Sequence, residues 1–358
     1  MDETQRLRAW THHRQRLGGN PASGPLEALR SVVAVYGAHP TAPLALAART
    51  AGMTAGDFRA LDQERSALRI PGMRGSLFLV PSDTAGRVFA PFQASAARVL
   101  TRMRRAELDD EGYRAASERI VATASLPLLP RELEDVAGVS GVRMSLLLRT
   151  IRAEGRMLAV AQGSLRAAQL RYVATASWAA GALEVDDVDA ALAALAGDYL
   201  RGYGPARPAD FAWWTGVGTA AAARALATVD TVDVGNGLLL PRNDEPAFSG
   251  ITAPRNTVDL LPKWDAYTMG FAPDGRARLV HLHNQPQMYV RQGVMAPGQP
   301  NVGLSGDGYP VVLVDGEAVG TWNVTVREAT VHLFDTVGPA TRRRIDERLA
   351  DVRSLLAD

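Results

Sequence analysis

Two side chains suited to proton transfer and hydrogen bonding, Tyr36 and His39, stand three residues apart with only Gly37 and Ala38 between them. The apolar run that carries them predicts a helix ending at His39, because Pro40 lacks a backbone N–H and crowds the residue before it. Residues three apart share one face of a helix. The pair therefore indicates either the wall of a pocket or the polar edge of a core, and both interpretations stay open.

Other kinds of catalytic site find little support in the chain. There is no phosphate-binding loop, no GxGxxG fingerprint and no serine in the setting of a hydrolase triad. His281 and His283 alternate along a predicted strand, but a zinc site needs at least a third ligand. We therefore expect no metal and no cofactor.

Arginine supplies nearly all of the positive charge, since Lys263 is the one lysine in the chain. The net charge of +1 argues against a globally basic nucleic-acid binder, so local clusters matter more. One cluster lies on or beside a predicted amphipathic helix and in the hairpin after it, where it could contact DNA phosphates or form an ordinary solvated face. Its members are Arg143, Arg149, Arg152, Arg156, Arg166 and Arg171. The spacing of Arg149, Arg152 and Arg156 predicts three guanidinium groups on one helical face.

The elements that would position these groups repeat three times. Helices followed by a short strand or hairpin are the order of a winged helix, in which the last helix reads a major groove. We predict a mainly α protein with some β, built as three tandem winged-helix units (1–110, 111–183 and 184–244). A small antiparallel β barrel and a C-terminal helix (245–358) follow. The first unit would include a helix from Asp83 through Arg105, ending in an arginine cluster.

Bulk composition describes a chain with ample core. Its 358 residues suffice for two to four domains, and 47% of them are apolar. The absence of cysteine excludes disulfides and thiolate metal sites. The polar N-terminus and the lack of an apolar run near ~18 residues predict a cytoplasmic protein, which we expect to be a monomer.

Five segments in the same order resemble the AlkZ-like DNA glycosylases, a family of winged-helix enzymes that repair alkylated and crosslinked DNA. MRGSLFLVP is similar to the family's MRGTLHLVP, and the others resemble its N-terminal helix, catalytic junction, third winged helix and C-terminal barrel. The segments are Arg14 to Leu17, His39 to Arg49, Met73 to Pro81, Gly204 to Gly216, and Leu260 to Tyr267 with Val311 to Trp322.

The resemblance implies an enzyme that binds double-stranded DNA and hydrolyses the N-glycosidic bond of alkylated purines, including bulky natural-product adducts and interstrand crosslinks. We expect a bacterial enzyme that acts on bulky N7-guanine adducts. Arg74, in the MRGSLFLVP segment, is a further predicted DNA contact. Characterised members carry Gln-apolar-Gln or Gln-apolar-Asp before the junction proline, whereas this chain has Tyr36, Gly37 and Ala38 there. We therefore expect His39 to place the attacking water and Tyr36 to assist it.

Three alternatives remain open at the level of sequence. A protein with the same scaffold but no chemistry could act as an adduct sensor or a regulator. A protein could also sequester the free genotoxin. Lys263 could support a lyase reaction through a Schiff base, although a monofunctional glycosylase is the expected enzyme.

Overall fold

The computed structural model describes residues 1–93, 108–161, 163–289, 308–325 and 328–357. Within these ranges no helix has both the length and the apolar character to cross a membrane. The predicted helix from Asp83 is helical over residues 85–93, but the arginine cluster at its end lies outside the described residues.

The first segment contains helices and three short strands. Thr54 begins the fourth helix with the capping box that its spacing to Asp57 predicts. The elements are α1 (Glu3–Arg14), α2 (Pro25–Ser31), β1 (Val35–Tyr36), α3 (Thr41–Ala47), α4 (Ala55–Gln63), β2 (Ala67–Pro71), β3 (Leu77–Pro81) and α5 (85–93).

The prediction of one helix that carries Tyr36 and His39 is wrong. Helix α2 stops at Ser31, Val33 has a positive φ of 66°, and Val35–Tyr36 forms strand β1. The strand pairs antiparallel with β3, so that Tyr36 lies opposite Phe78. A short apolar run rich in β-branched valine fits a strand as well as a helix, and periodicity alone does not separate the two. Tyr36 and His39 consequently do not share a helical face.

The second segment follows its predicted order. Its three helices enclose a core of their own, which includes Ile120, Leu133 and Leu147. The elements are α6 (Asp110–Thr123), α7 (Pro130–Ala137), α8 (Gly141–Ala153), β4 (Met157–Ala161), β5 (Leu170–Ala174) and α9 (Thr175–Trp178). Strand β4 pairs with β2, giving a five-stranded sheet in the order β1-β3-β2-β4-β5 that crosses the boundary predicted at residue 110.

The third segment also has three helices and a hairpin: α10 (Val188–Tyr203), α11 (Pro208–Thr215), α12 (Thr219–Leu226), β6 (Thr231–Asp233) and β7 (Leu239–Pro241). Helix α10 packs closely on the first segment at Gly202. A Cβ at Gly202 would lie 2.6 Å from the Ser31 carbonyl oxygen, so a larger residue would push α10 away from α2. The Tyr203 hydroxyl donates to the Val32 carbonyl at 2.9 Å and further anchors the junction.

The C-terminal segment is built around an antiparallel sheet in the order β11-β10-β9-β8. Its elements are α13 (Glu245–Ser249), β8 (Val258–Leu261), α14 (Ala266–Met269), α15 (Gln285–Met288), β9 (Val311–Val314), β10 (Glu317–Val324), β11 (Ala329–Leu333) and α16 (Pro339–Ala357). Among the described strands this sheet stays open, so the predicted closed barrel is not found there. His281 and His283 are not on a strand, because His281 precedes a 3-10 turn over Leu282–Asn284.

A buried ion pair joins the C-terminal segment to the first. The Arg49 guanidinium donates to both carboxylate oxygens of Asp265, at 2.6 and 2.8 Å, and both side chains are fully buried. Arg49 also donates to Gln15 Oε1 at 3.2 Å, which brings α1 into the same network. Asp265 in turn caps α14 by accepting from the Tyr267 backbone N–H. The network fixes the segment before α14 against α3.

Neutralising the aspartate of this pair should destabilise the protein strongly. In Asp265→Asn the Arg49 charge stays buried without its counter-ion, which typically costs about 3–5 kcal/mol. Urea unfolding at neutral pH measures the change. The control Asp83→Asn removes the exposed partner of Arg30, and an exposed pair contributes about 0–1 kcal/mol. Equal small losses in both variants would contradict the structural role assigned to Arg49 and Asp265.

Candidate active site

Tyr36 lines a cavity of about 240 Å³ where the first, third and C-terminal segments meet. Strand β1 supplies Tyr36, β3 supplies Phe78, α11 supplies Trp213 and Trp214, and the residue before Asp265 is Trp264. Tyr36, Phe78, Trp213 and Trp264 are half-buried, so their rings are partly accessible from solvent. Aromatic walls of this kind suit a planar ring.

Trp264 holds its position through an unusual backbone conformation. Its φ of 60° lies in the left-handed region, where a bulky residue costs on the order of 1–3 kcal/mol and persists only when its surroundings impose it. The Arg49–Asp265 pair, one residue away, provides that constraint. The result is a ring-centroid distance of 4.5 Å between Trp264 and Tyr36, with the ring planes inclined at 54°.

Two cations lie against the aromatic walls. The Arg74 guanidinium is 4.0 Å from the centroid of Trp213, and the Lys263 ammonium is 4.2 Å from that of Trp264. Arg74 is exposed, so the structure places this sequence-predicted DNA contact at the rim of the cavity. The adjacent tryptophans differ: Trp214 is buried beside Tyr199 and Tyr203, as a core residue would be, whereas Trp213 is half-buried.

His39 lies in different surroundings from Tyr36. Its side chain is 8% exposed, packs edge-on against Phe58 at 5.4 Å, and is not among the residues that line the aromatic cavity. Burial, together with the smaller effect of the nearby charge of Arg69, lowers the pKa of His39 to about 4. The imidazole is therefore neutral at physiological pH. The described contacts give it no direct access to the cavity that Tyr36 faces.

Arg69 links the two ends of the junction turn. It donates from Nε to the Gly37 carbonyl at 3.1 Å, while its Nη2 lies 3.4 Å from His39 Nε2. A short ion pair with Asp62 holds the guanidinium, which is fully buried. Sequence reasoning missed Arg69, although an arginine inside the apolar strand ALRIP was the signal available. It missed Trp264 as a site residue for another reason: the cavity needs three distant segments.

The six clustered arginines predicted to bind DNA fall into two groups by exposure. Arg143 and Arg149 are exposed on α8. The other four are half-buried. Arg152 lies over Tyr172, Arg156 donates to Ser117, Arg166 donates to the Leu356 carbonyl, and Arg171 donates to the Pro127 carbonyl. The predicted three-arginine face is wrong, because α8 ends at Ala153 and Arg156 lies beyond it.

A second, larger cavity of about 620 Å³ lies between the first segment, β8 and α16. Its charged residues are paired within the protein: Arg16 with Glu27, Arg348 with Asp351, and Asp259 with His12. The aromatic cavity is the better candidate for substrate chemistry, because Tyr36 and the exposed Arg74 line it. His281 and His283 stack at 5.6 Å, and no described group of three or more metal-ligating side chains could hold an ion.

The fold is shared with a family of DNA glycosylases. The family described as "DNA glycosylase AlkZ-like" matches residues 29–355, and the chain belongs to that family. Its members are DNA glycosylases, and membership implies glycosylase activity on alkylated DNA. The structure is similar to that of the Streptomyces sahachiroi DNA glycosylase AlkZ, with a TM-score of 0.76 and 18% identity over 98% of this chain and 97% of the other. No curated protein matches the sequence.

The buried histidine should make stability sensitive to acid. Because the pKa of His39 is lowered in the folded state, the unfolded chain binds the proton more tightly. The contribution of the neutral His39 to the free energy of unfolding is fully present above about pH 6.5 and is lost as pH falls through about pH 4. The difference in unfolding free energy between the native chain and His39→Gln, plotted against pH, should show this loss as a slope. His332→Gln, at an exposed histidine, should leave the slope unchanged; an equal effect would refute the assignment.

The two groups of arginines predict different responses of DNA binding to salt. Arg149→Ala should reduce the slope of log affinity against log salt by about one if its guanidinium contacts a phosphate. Arg171→Ala is the matched control, because Arg171 is directed to Pro127 and lies 3.7 Å from Glu132. Fluorescence anisotropy with a duplex oligonucleotide measures both. Identical slopes for native protein and Arg149→Ala would remove Arg149 from the interface.

Proposed function

We propose that this protein hydrolyses the N-glycosidic bond of alkylated purines in duplex DNA, in particular bulky N7-guanine adducts of a genotoxic natural product. It would act as a monofunctional, monomeric enzyme without a cofactor. The observation that carries the proposal is the position of Tyr36, at the junction that bears the family's catalytic motif and on the wall of an aromatic cavity. Arg74 at the rim would bind a phosphate next to the lesion.

The protein has to lower the barrier to bond cleavage only modestly, because alkylation at N7 makes the purine a cationic leaving group. Water adds its oxygen to C1′ while the bond from C1′ to N9 breaks and its electron pair neutralises the purine. The water loses one proton to the surrounding solvent, and the products are an abasic sugar and a neutral alkylpurine. The Tyr36 hydroxyl can hydrogen-bond the water or the sugar phosphate as positive charge develops on the sugar.

His39 would contribute by holding the junction. A neutral, buried imidazole that packs on Phe58 and approaches Arg69 supports the conformation of Gly37 and Ala38, and through it the direction of Tyr36. The water-placing role that the sequence suggested for His39 would require the side chain to reach the cavity. We therefore assign Tyr36 as the catalytic residue and His39 as a positioning residue.

A duplex with a single N7-guanine adduct, treated with alkali after incubation, reports abasic sites as strand breaks. Tyr36→Phe should lower the single-turnover rate by about a hundredfold, as loss of one hydrogen bond to the transition state does. His39→Ala should lower the rate while leaving DNA affinity unchanged, and His39→Gln should recover part of it. Activity equal to that of the native chain in Tyr36→Phe would remove Tyr36 as the catalytic group.

Lys263 provides the internal test of a monofunctional reaction. A lyase would form a Schiff base with the abasic sugar, which borohydride reduces to a covalent protein–DNA adduct. We expect no trapped adduct with the native chain, and Lys263→Gln should still form abasic sites. A trapped species lost in that variant would instead establish a lyase.

A non-catalytic DNA-binding protein is the second candidate, since Tyr36 and Ala38 occupy the family's glutamine positions and His39 is buried. Tight binding to adducted duplex without any abasic product would establish this alternative. Biosynthetic genes for a DNA-alkylating compound next to this gene would favour self-resistance, whereas neighbouring repair genes would favour general alkylation damage.

A further inference from the structure

The loop between β4 and β5 folds back onto the first segment. We call residues 163–167 the inserted loop. Leu165, at its turn, is 1% exposed and belongs to the same hydrophobic core as Phe58 of α4. The Gly163 carbonyl accepts a hydrogen bond from Arg59 Nε at 3.3 Å, which attaches the loop to α4 a second time. The inserted loop is therefore anchored on the first segment, although it belongs to the second.

Hydrogen bonds within the inserted loop fix the direction of the Ser164 backbone. The Ala167 N–H donates to the Ser164 carbonyl at 3.0 Å, and the Arg166 N–H donates to Ser164 Oγ at 3.2 Å. Serine is common in turns because its hydroxyl can bond to the local backbone in this way. The carbonyl oxygen has two lone pairs, so it can accept one more hydrogen bond.

Arg166 ties the inserted loop to the end of the C-terminal helix. Its Nε donates to the Leu356 carbonyl at 2.9 Å, in the last turn of α16. The last four carbonyls of a helix lack an intrahelical donor, and a cation near them interacts favourably with the helix dipole. The inserted loop is thus held by two elements outside its own segment, α4 and α16.

The backbone of Ser164 lies beside the imidazole of His39. Arg69 Nη2, 3.4 Å from His39 Nε2, can only donate, so Nε2 accepts and the neutral ring carries its proton on Nδ1. Nδ1 is buried and meets no acceptor at ordinary hydrogen-bond geometry among the described residues. The Ser164 backbone opposes the lowering of the His39 pKa by burial and by Arg69. A backbone group that acts in this direction is a carbonyl oxygen, which favours an N–H on the ring.

We propose that the inserted loop positions His39, and through it the junction turn, by presenting the Ser164 carbonyl to Nδ1, with Arg166 holding the loop in place. A buried donor without an acceptor is unfavourable, so the carbonyl favours one orientation of the ring. That orientation keeps Nε2 toward Arg69, which also binds the Gly37 carbonyl. The catalytic consequence rests on the proposed glycosylase function, whereas the effect on the imidazole does not.

Nitrogen NMR of the full chain with isotope-labelled histidine tests the effect on the ring. At neutral pH the native chain should show His39, assigned by its absence in His39→Gln, with the proton on Nδ1. Arg166→Met removes the bond to Leu356, and the ratio of this tautomer to the other should fall by about threefold or more, because the hydrogen bonds at the two nitrogens decide which one carries the proton. An unchanged ratio would overturn the proposal.

Arg171→Met is the matched control for this measurement. Arg171 lies in the same hairpin, is half-buried and also donates to a backbone carbonyl, that of Pro127 at 3.3 Å. The tautomer ratio of His39 should stay at its native value in this variant. An equal fall in Arg171→Met and Arg166→Met would assign the effect to general loosening of the hairpin and contradict a specific role of Arg166.

Single-turnover cleavage of adducted duplex separates positioning from stability. Arg166→Met should lower the rate by about tenfold, since small misplacements cost this much or more, and Arg166→Lys should recover part of the loss. In a His39→Gln background Arg166→Met should cause no further loss, because the loop acts through His39. Equal losses in both backgrounds would overturn that route. Weaker duplex binding with a smaller salt slope would instead place Arg166 at the DNA and refute its positioning role.

Ser164→Ala covers the case in which Arg166→Met does not fold. Ser164 is exposed, and the change removes only the hydroxyl that accepts from the Arg166 N–H. The tautomer ratio should fall in this variant too, and a native ratio would overturn the proposal. A native chain that responds to these variants but forms no abasic sites would support the inserted loop and refute the proposed function. Abasic sites without any tautomer response would do the reverse.

Discussion

The ion pair between Arg49 and Asp265 is the interaction on which the site depends. It lies where helix α3, which follows the junction turn, meets the start of α14, and neither charge reaches solvent. Two ions buried together are tolerated only when their geometry and hydrogen bonds compensate for desolvation. Here the guanidinium makes two bonds to the carboxylate, and the Gln15 and Ala45 oxygens accept two more. The pair thereby sets the distance between the first and C-terminal segments.

That distance is what creates the aromatic cavity. Trp264 is held in the left-handed region because Asp265 is fixed beside it, and the indole consequently meets Tyr36. On the other side of the junction, Arg69 binds the Gly37 carbonyl and approaches His39. Arg69 therefore holds the junction turn directly, whereas Arg49 bonds to the helix that follows it. The stability of the junction turn and the direction of the Tyr36 side chain therefore depend on the same arginine contacts.

Much of the secondary structure could be predicted from local signals. Helices α6 to α8 follow from amphipathic runs with clear stops, and the hairpin of β6 and β7 follows from Asn236-Gly237. The conformation of the junction could not be predicted from local signals, because VVAV is short, apolar and β-branched. Its pairing with β3 decides its conformation. The aromatic cavity could not be predicted from the sequence for a different reason. Residues 36, 213 and 264 lie in three segments that are distant in the sequence, and no periodicity encodes contacts of that range.

The central claim is that the lesion meets the protein at Tyr36 and Trp264. A crystal structure of the chain on duplex DNA that carries a 2′-fluoro N7-alkylguanine, which resists cleavage, tests it most directly. The account predicts the sugar of the lesion within hydrogen-bonding distance of the Tyr36 hydroxyl and a DNA phosphate at Arg74. A lesion bound at another surface, with Tyr36 and Trp264 distant from the DNA, would contradict it.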